Sequence, residues 1–409
     1  MTSFAFTAEA AAPVAAVSVQ VRAATAKLRA SGVIFDVVRT RAGFDALETE
    51  WTALFERAAR SDHLFIQFNW LWHWANHYLP AGAELGIVTG RRDGRLVLVL
   101  PLLVERMAGL RQLAFMGAPV SQYSDALVGA DDAALLDDAW DAACATLRPD
   151  LVRLVKVRAD AMIAPLLAAK GFRVTAQEEA PAATLSAAPT YADFENRFSS
   201  KLRKNRRRQL RRLEERGPVD IVWHTGSDAA ADAVRLAMTL KRAWLNSRGL
   251  ISRAFADTRI DAFFADAASS MTRPCGVGIS VLQSAGESAD VAISVTCKGR
   301  RAIHILSYAL KFEKVGAGNH HLEVALQKAY TDGIEVYDFL APRHAYKMEW
   351  ADTVVLVSDH ALAMSRLGRL YADIYLAHVR EGLKSALKRL PRGMTRFIAG
   401  AHRSTHGVF

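Results

Sequence analysis

The chain has 409 residues, 51% of them hydrophobic and 23% charged, with a formal net charge of +10; this balance excludes a disordered or fibrous chain and leaves room for two domains, each with its own core. Cys144, Cys275 and Cys297 are odd in number and widely spaced, which suggests neither a disulfide framework nor a zinc ribbon and fits a reducing compartment. The longest apolar run, Leu96 to Val104, contains a proline and is too short to span a membrane.

In chain order, residues 1–30 are Ala-rich, carry Glu9 and lack a basic leader, so they read as a disordered tail rather than a signal peptide, and the chain is expected in the cytoplasm. Val33 to Val38 reads as a strand, Ala42 to Arg60 as one amphipathic helix and Phe68 to Leu79 as a second helix. Three runs separated by turn signals follow, Leu85 to Gly90, Arg95 to Arg106 and Leu110 to Gly117, and predict an antiparallel meander. A long loop, a helix near Asp132 to Leu147, a strand from Leu151, a short helix and a strand from Phe172 complete the first half. The Ala/Pro-rich passage Glu179 to Thr190 reads as a linker.

The second half repeats the order: helices, a meander (Gly276 to Gln283, Asp290 to Gly299, Arg301 to Leu310), a Gly-containing turn, a helix from His320, a strand Ile334 to Leu340 and a last strand from Thr353. The shared order predicts two copies of one α/β unit with a mixed, mostly antiparallel sheet, over 31–180 and 190–362, followed by a basic helical tail over 363–409.

Two features of the second half point to chemistry. The turn Val315-Gly316-Ala317-Gly318-Asn319 follows a strand and opens a helix, where backbone N–H groups and the helix dipole can receive a phosphate; Gly316 and Gly318 permit close approach and Asn319 is the expected cap. The stretch Ser199 to Gly217 concentrates Lys and Arg. On a helical wheel Phe198, Leu202, Leu213, Asn205, Arg206 and Gln209 share one face, while Lys204, Arg207, Arg208 and Arg211 point away. An inward Arg206 must find an anion, a cofactor phosphate or a structural carboxylate. The outward charges form a solvated face or meet a phosphate-bearing donor or an acidic membrane surface. No RNP-like strand, zinc finger or helix-turn-helix accompanies them, so nucleic acid is not the expected partner. The basic segment from His378 instead suits an anionic lipid surface, on the inner face of the membrane.

The order of meander, Gly turn, helix and strand resembles the acyl-CoA N-acyltransferase (GNAT) fold. More closely, the chain resembles the CelD/BcsL group of that superfamily, similar in its tandem build to Fem-type aminoacyltransferases. The passages that carry the resemblance are FIQFNWLWHW with Trp70, SQYSDALV with Tyr123 and Asp125, the basic stretch, and AGNHHLEVALQKAYTDGIEVYDFLAPRHAYKMEW with Asp338, Tyr346 and Lys347. The resemblance implies two tandem GNAT-like units, acyl-CoA as donor, no metal, and amino-sugar acylation linked to extracellular polysaccharide. Alternatives are acylation of a lipid amine, a Fem-like transferase using aminoacyl-tRNA, and a non-catalytic envelope-assembly module. The turn lacks the polar leader usual in the superfamily, and the first half has no matching glycine pair, so that half is expected to shape the acceptor side without a cofactor.

Amide formation from a thioester needs a base for the amine and an acid for the thiolate. His304 on the strand is the candidate base, Asp338 can orient or deprotonate an amine, and Tyr346 is the candidate acid. Trp70, Tyr123, Asp125 and Lys347 are assigned to the acceptor, Lys347 as holder of an anionic group. His73 and His77 have metal spacing without the acidic residue a zincin needs, and an aromatic helix face is the simpler reading. No G-x-S-x-G elbow or Walker loop occurs.

Overall fold

The computed structural model describes residues 32–372 except 81, 108, 251 and 271–275. The tail expected over 1–30, and residues 373–409 of the basic tail, lie outside the described residues.

The first half supplies β1 (Val33–Val38), β2 (Glu84–Leu85), β3 (Ile87–Arg92), β4 (Arg95–Leu100), β5 (Leu102–Met107), β6 (Leu110–Phe115), β7 (Leu127–Val128), β8 (Leu151–Arg158) and β9 (Arg173–Thr184). The second supplies β10 (Val219–His224), β11 (Gly276–Ser284), β12 (Glu287–Cys297), β13 (Arg300–Tyr308), β14 (Val336–Asp338) and β15 (Thr353–Ala363). They form a four-stranded sheet, β1-β3-β4-β7, and an eleven-stranded sheet, β10-β11-β12-β13-β14-β9-β15-β8-β6-β5-β2. The run expected as one strand from Arg95 to Arg106 is divided between the two sheets at Pro101, which has no N–H for a ladder. The helix expected over Ala42 to Arg60 is also two, Arg41–Asp45 and Glu48–Ala58, separated where Leu47 N–H reaches back only three residues to Phe44.

At the centre of the large sheet the halves exchange strands. β14 of the second half pairs with β9 of the first, and β15 of the second pairs with both β9 and β8 of the first, all antiparallel. Glu179 to Thr184 is therefore the end of a central strand and not a linker. Its alanines look like linker composition but are buried, Ala180 at 1% and Ala183 at 0% exposure, because small side chains suit the crowded middle of the sheet. One core continues across the halves: Trp51, Phe68 and Trp70 join Val234, Phe263 and Ile293, with the Trp70 and Phe263 rings 4.9 Å apart edge to face.

The basic helix is Ser200–Glu214, capped by Ser199, whose side chain accepts from Leu202 N–H. Arg206 and Leu213 are buried, Leu202, Asn205 and Gln209 partly so, and Lys204, Arg207, Arg208 and Arg211 are exposed, the distribution the wheel predicts. Cys144 is a free thiol, whereas Cys297 is disulfide-bonded; this corrects the expectation of reduced thiols, since spacing along the chain does not report which sulfurs meet in space.

Candidate active site

β13 and β14 run parallel only from Arg300 opposite Val336 to Ala302 opposite Asp338. Two residues later Leu340 adopts φ 55°, outside strand geometry, and Pro342 has no N–H to offer, so the expected strand Ile334 to Leu340 contracts to three residues and the two chains part. On its other side β13 stays paired with β12, with a bulge that leaves His304 without an opposite residue. Ala309 N–H donates to Ala289 C=O (2.9 Å), so by antiparallel alternation the N–H and C=O groups of Leu306 and Tyr308 face away from β12, into the gap. One wall of the gap is thus made of backbone hydrogen-bonding groups turned away from β12, of which Leu306 C=O accepts from Lys241 Nζ (3.2 Å).

At its end stands the helix Ala317–Thr331, whose cap is Gly316 at φ 82° with no side-chain cap bond. Asn319 is inside the helix, not its cap; its side-chain amide donates to Gln209 Oε1 of the basic helix (3.5 Å). The first N–H groups of this helix have no partner within it. A side chain at Gly316 would meet the flexible side chain of Gln209 at 2.6 Å, and the φ of 82° itself favours glycine there. Under Gly318 lies Asp290, wholly buried, which pairs through Oδ2 with His321 Nδ1 (3.1 Å), while His321 Nε2 meets Ser280 Oγ (2.7 Å).

Tyr346 and Lys347 lie on the short helix Ala345–Met348 beside the gap. Tyr346 is 39% exposed and stacks on His344; burial, and then the charge of Asp290, push its phenol up to about 12, so it carries its proton at neutral pH. Lys347 is buried and donates to Leu340 C=O (2.7 Å) and Pro342 C=O (3.0 Å); burial brings its ammonium down to about 8. His304 is bonded through Nε2 to Val120 C=O of the first half (2.7 Å), and its Nδ1 is buried without a partner. Burial lowers it to about 4, so it is a neutral imidazole with the proton on Nε2 and a free lone pair on Nδ1.

The other predicted residues sit deeper. Asp338 is 1% exposed and accepts from Tyr123 Oη (2.8 Å), Arg300 Nη1 (2.8 Å) and Leu340 N–H (2.9 Å), with Arg158 at 3.8 Å. Tyr123 is thereby the first half's bond to the second half's last parallel strand. Asp125 is saturated by the N–H groups of Ala126, Met162 and Ile163 and by His63, which makes it a loop fastener. Trp70 is fully buried and donates its indole N–H to Ser121 (2.9 Å). Arg206 has no carboxylate within 4.0 Å among the described residues, and its buried Nη2 has no hydrogen-bond partner; its guanidinium lies over Trp350 at 3.3 Å and Phe198 at 4.3 Å, a cation–π stack. His73 and His77 bond to Ser270 and Asp266, and among the described residues no group of three His, Cys, Asp or Glu is placed to hold a metal.

The structure therefore sets Lys347, Gly316, Gly318 and the strand that carries His304 around the gap, with Tyr346 on the helix beside it and Asp338 and Tyr123 behind it; Trp70 and Asp125 spend their polar groups on the protein, and Arg206 stacks on Trp350 and Phe198 with Nη2 unpartnered. Sequence reasoning missed Lys241, Asp290, His321, Arg158 and Arg300. Asp290 leaves a trace, an acid in phase with Ala292 and Ser294 on one strand face; Lys241 looks like any surface lysine of a long helix.

Residues 200–348, from the basic helix through Met348, match the family model described as an Acetyltransferase (GNAT) domain. No curated protein matches the sequence. Among solved structures, FemX is similar with a TM-score of 0.56 at 12% identity, over 80% of this chain and 98% of that one. The C-terminal domain of a putative lysylphosphatidylglycerol synthetase from Agrobacterium fabrum gives 0.51 at 11%, over 81% and 95%. L-PGS from Bacillus licheniformis gives 0.50 at 14%, over 80% and 97%. The fold is thus a mixed α/β one of two tandem GNAT-like units, and the second carries a GNAT-type acetyltransferase domain. An acyl-CoA donor in general goes with that domain. The residues fit one: the free edge of β13 can pair with an extended amide-bearing chain, and the uncapped helix terminus beyond it can receive phosphate.

Proposed function

We propose that the chain is an N-acyltransferase that moves an acyl group from acyl-CoA to an amine acceptor, an amino sugar of exopolysaccharide or envelope assembly. The observation that supports it is the gap between β13 and β14, which ends on the uncapped helix terminus at Gly316 and lies within the matched domain. Acyl-CoA supplies an activated thioester carbon and a thiolate leaving group. The backbone groups of Leu306 and Tyr308 that face the gap hold the donor's extended arm, which displaces Lys241 Nζ from Leu306 C=O, and the N–H groups after Gly316 hold its phosphates. His304 Nδ1 takes the proton of the attacking amine; the neutral ring is ready to do so because nothing else occupies that lone pair. Tyr346 gives its proton to the departing sulfur. Asp338 acts by position, tying Tyr123 and Arg300 behind the strand that carries His304.

The test is thermal unfolding with CoA, acetyl-CoA and a long-chain acyl-CoA. A donor at about 100 times its dissociation constant stabilises the native state by about 2.7 kcal/mol, a shift of several degrees. Stabilisation by thioesters, with the preferred chain length, would support the reading and choose the acyl class. No shift with any thioester would sink it.

A further inference from the structure

Ser280, Asp290 and His321 form a hydrogen-bonded chain that the proposed transfer chemistry does not use. All three are buried, Asp290 and His321 at 0% exposure, and they come from β11, β12 and the helix Ala317–Thr331. A carboxylate has no proton to give, so His321 Nδ1–H donates to Asp290 Oδ2 (3.1 Å). The other ring nitrogen, Nε2, meets Ser280 Oγ at 2.7 Å. Asp290 Oδ1 has no hydrogen-bond partner, and among the described residues no lysine or arginine nitrogen lies within 4.0 Å of the carboxylate. A buried carboxylate with a single bond is destabilising unless something nearby offsets its charge. The helix does so. Gly318 and His321 stand three residues apart and share the face that lies on the sheet. A Cβ at Gly318 would stand 3.7 Å from Asp290 Oδ2 and 3.4 Å from Tyr308 Cδ1, and Tyr308 is the cross-strand neighbour of Asp290. The carboxylate therefore lies under the first turn, against the positive end of the helix, and beside a residue whose backbone faces the gap.

A helix start is commonly fixed by an N-cap side chain, which occupies one of the free N–H groups. Here Gly316 makes no side-chain cap bond, and His320 is the first helical residue whose N–H is taken, by Gly316 C=O (3.1 Å). The N–H groups of Ala317, Gly318 and Asn319 stay open. The turn is fastened from below instead: two residues past Asn319, His321 is tied to two neighbouring strands. These bonds fix the height of the terminus relative to Tyr308 without occupying the groups that a phosphate needs. We infer that His321, held by Asp290 and Ser280, is the positioning residue of the phosphate-binding turn and sets it in register with the backbone that holds the donor's arm. The inference rests on the proposed donor site and adds to it three residues that touch no substrate. Two effects of Asp290 then have opposite signs. Its bond to His321 favours the phosphate by fixing the turn, whereas its charge opposes the phosphate.

The experiment is calorimetric titration of 4′-phosphopantetheine and of pantetheine, which differ by the phosphate alone, into the full chain. The wild type is expected to bind the phosphorylated compound more tightly by about tenfold or more, the range of a charge-assisted hydrogen bond. His321→Leu, which fills the site with an apolar side chain, is expected to lower that ratio by about tenfold while pantetheine binding stays within about threefold. His321→Gln, whose amide donates to Asp290 and accepts from Ser280, keeps the ratio within about threefold of the wild type. Asp290→Asn retains an acceptor for His321 without the charge, so the ratio holds or rises. A residue needed only for folding would lower both affinities together with the melting temperature. The inference is overturned if the ratio survives His321→Leu, if pantetheine binding falls in step with it, or if Asp290→Asn lowers the ratio as far as His321→Leu does. Should His321→Leu not fold, Ser280→Ala takes its place; a loss of about threefold or more in the ratio supports the inference, and an unchanged ratio overturns it. A wild type that binds both compounds equally, or neither, refutes the phosphate reading of the terminus itself. A wild type that prefers the phosphate, with variants that keep the preference, leaves that reading standing and removes this one.

Discussion

Removing the bond between Tyr123 and Asp338 tests whether the two halves are one cooperative body. Tyr123 is 3% and Asp338 1% exposed, and their 2.8 Å bond joins a first-half loop to the second half's central strand. Tyr123→Phe deletes one hydrogen bond to a charged group, about 1.5–3 kcal/mol, while Arg300 and Leu340 N–H still hold the carboxylate. Asp338→Asn leaves the side chains of Arg300 and Arg158, 12% and 8% exposed, without their shared charge, and costs about 3–5 kcal/mol. In the double variant the tyrosine bond has already lost its charged acceptor, so the costs fall short of additivity by about 1–3 kcal/mol. Urea unfolding followed by tryptophan fluorescence and circular dichroism measures all four corners. Additivity within about 0.5 kcal/mol, or two transitions at separate urea concentrations, would refute the claim that exchanged strands and this buried bond make one folding unit.

Three further outcomes follow from single side chains. Gly316→Ala places a Cβ 2.6 Å from Gln209 at a φ of 82° and is expected to cost about 1–2 kcal/mol for the left-handed backbone alone; the added Gln209→Ala change should recover only the part due to the clash, as denaturant midpoints will show. His304 has a folded pKa of about 4 against 6.5, so the unfolded chain takes the proton first and stability falls as pH drops from 6.5 to 4, by roughly 3 kcal/mol. His304→Gln should flatten that part of a pH–stability profile, and an unchanged profile would remove burial as the cause. Lys347 has a folded pKa of about 8 against 10.5, so the unfolded chain keeps its proton longer and stability rises between pH 8 and 10.5, by roughly 3 kcal/mol. Lys347→Met should abolish this rise.

Much of the fold can be read from the sequence because it rests on local pattern. Helix and strand periodicity places the cores of β1, β3, β6, β8, β11, β12 and β13 near where they lie, and the amphipathic wheel assigns each face of the basic helix. What fails is what depends on distant neighbours. Glu179 to Thr184 has the composition of a linker, yet the strands it joins belong to the other half, and no local signal marks a strand whose partners lie more than 150 residues away. The site divides in the same way. His304, Tyr346 and Gly318 are legible because an alternating strand, a motif and a turn announce them. Lys241 is not, because its helix is amphipathic with or without the carbonyl it reaches. Trp70, Asp125 and Arg206 look chemical in sequence because they are polar or aromatic in charged or motif-like surroundings; their hydrogen bonds and ring stacks turn out to be directed at the protein itself.

The two halves share a chain order but divide the labour around one gap. In the second half the segment after β13 forms the uncapped turn at Gly316. In the first half the segment after β6 occupies the same place in the order, but its polar groups are already spent: Val120 C=O holds His304 and Tyr123 holds Asp338 of the second half, and Ser121 holds Trp70 of its own half. The proton on His304 Nε2 is fixed by Val120, and only that tautomer leaves Nδ1 with a lone pair to accept a proton. The first half therefore sets the protonation state of the candidate base without contributing a titrating group of its own. Shortening the loop between Gly117 and Tyr123 by one residue should release that carbonyl and allow the imidazole to exchange tautomers. The change is detectable as altered ring-nitrogen chemical shifts of His304, even where the fold and donor binding persist. Unchanged shifts would show that the aromatic rings of Phe65, Trp70 and Phe264 around it, rather than the Val120 carbonyl, hold the ring in place.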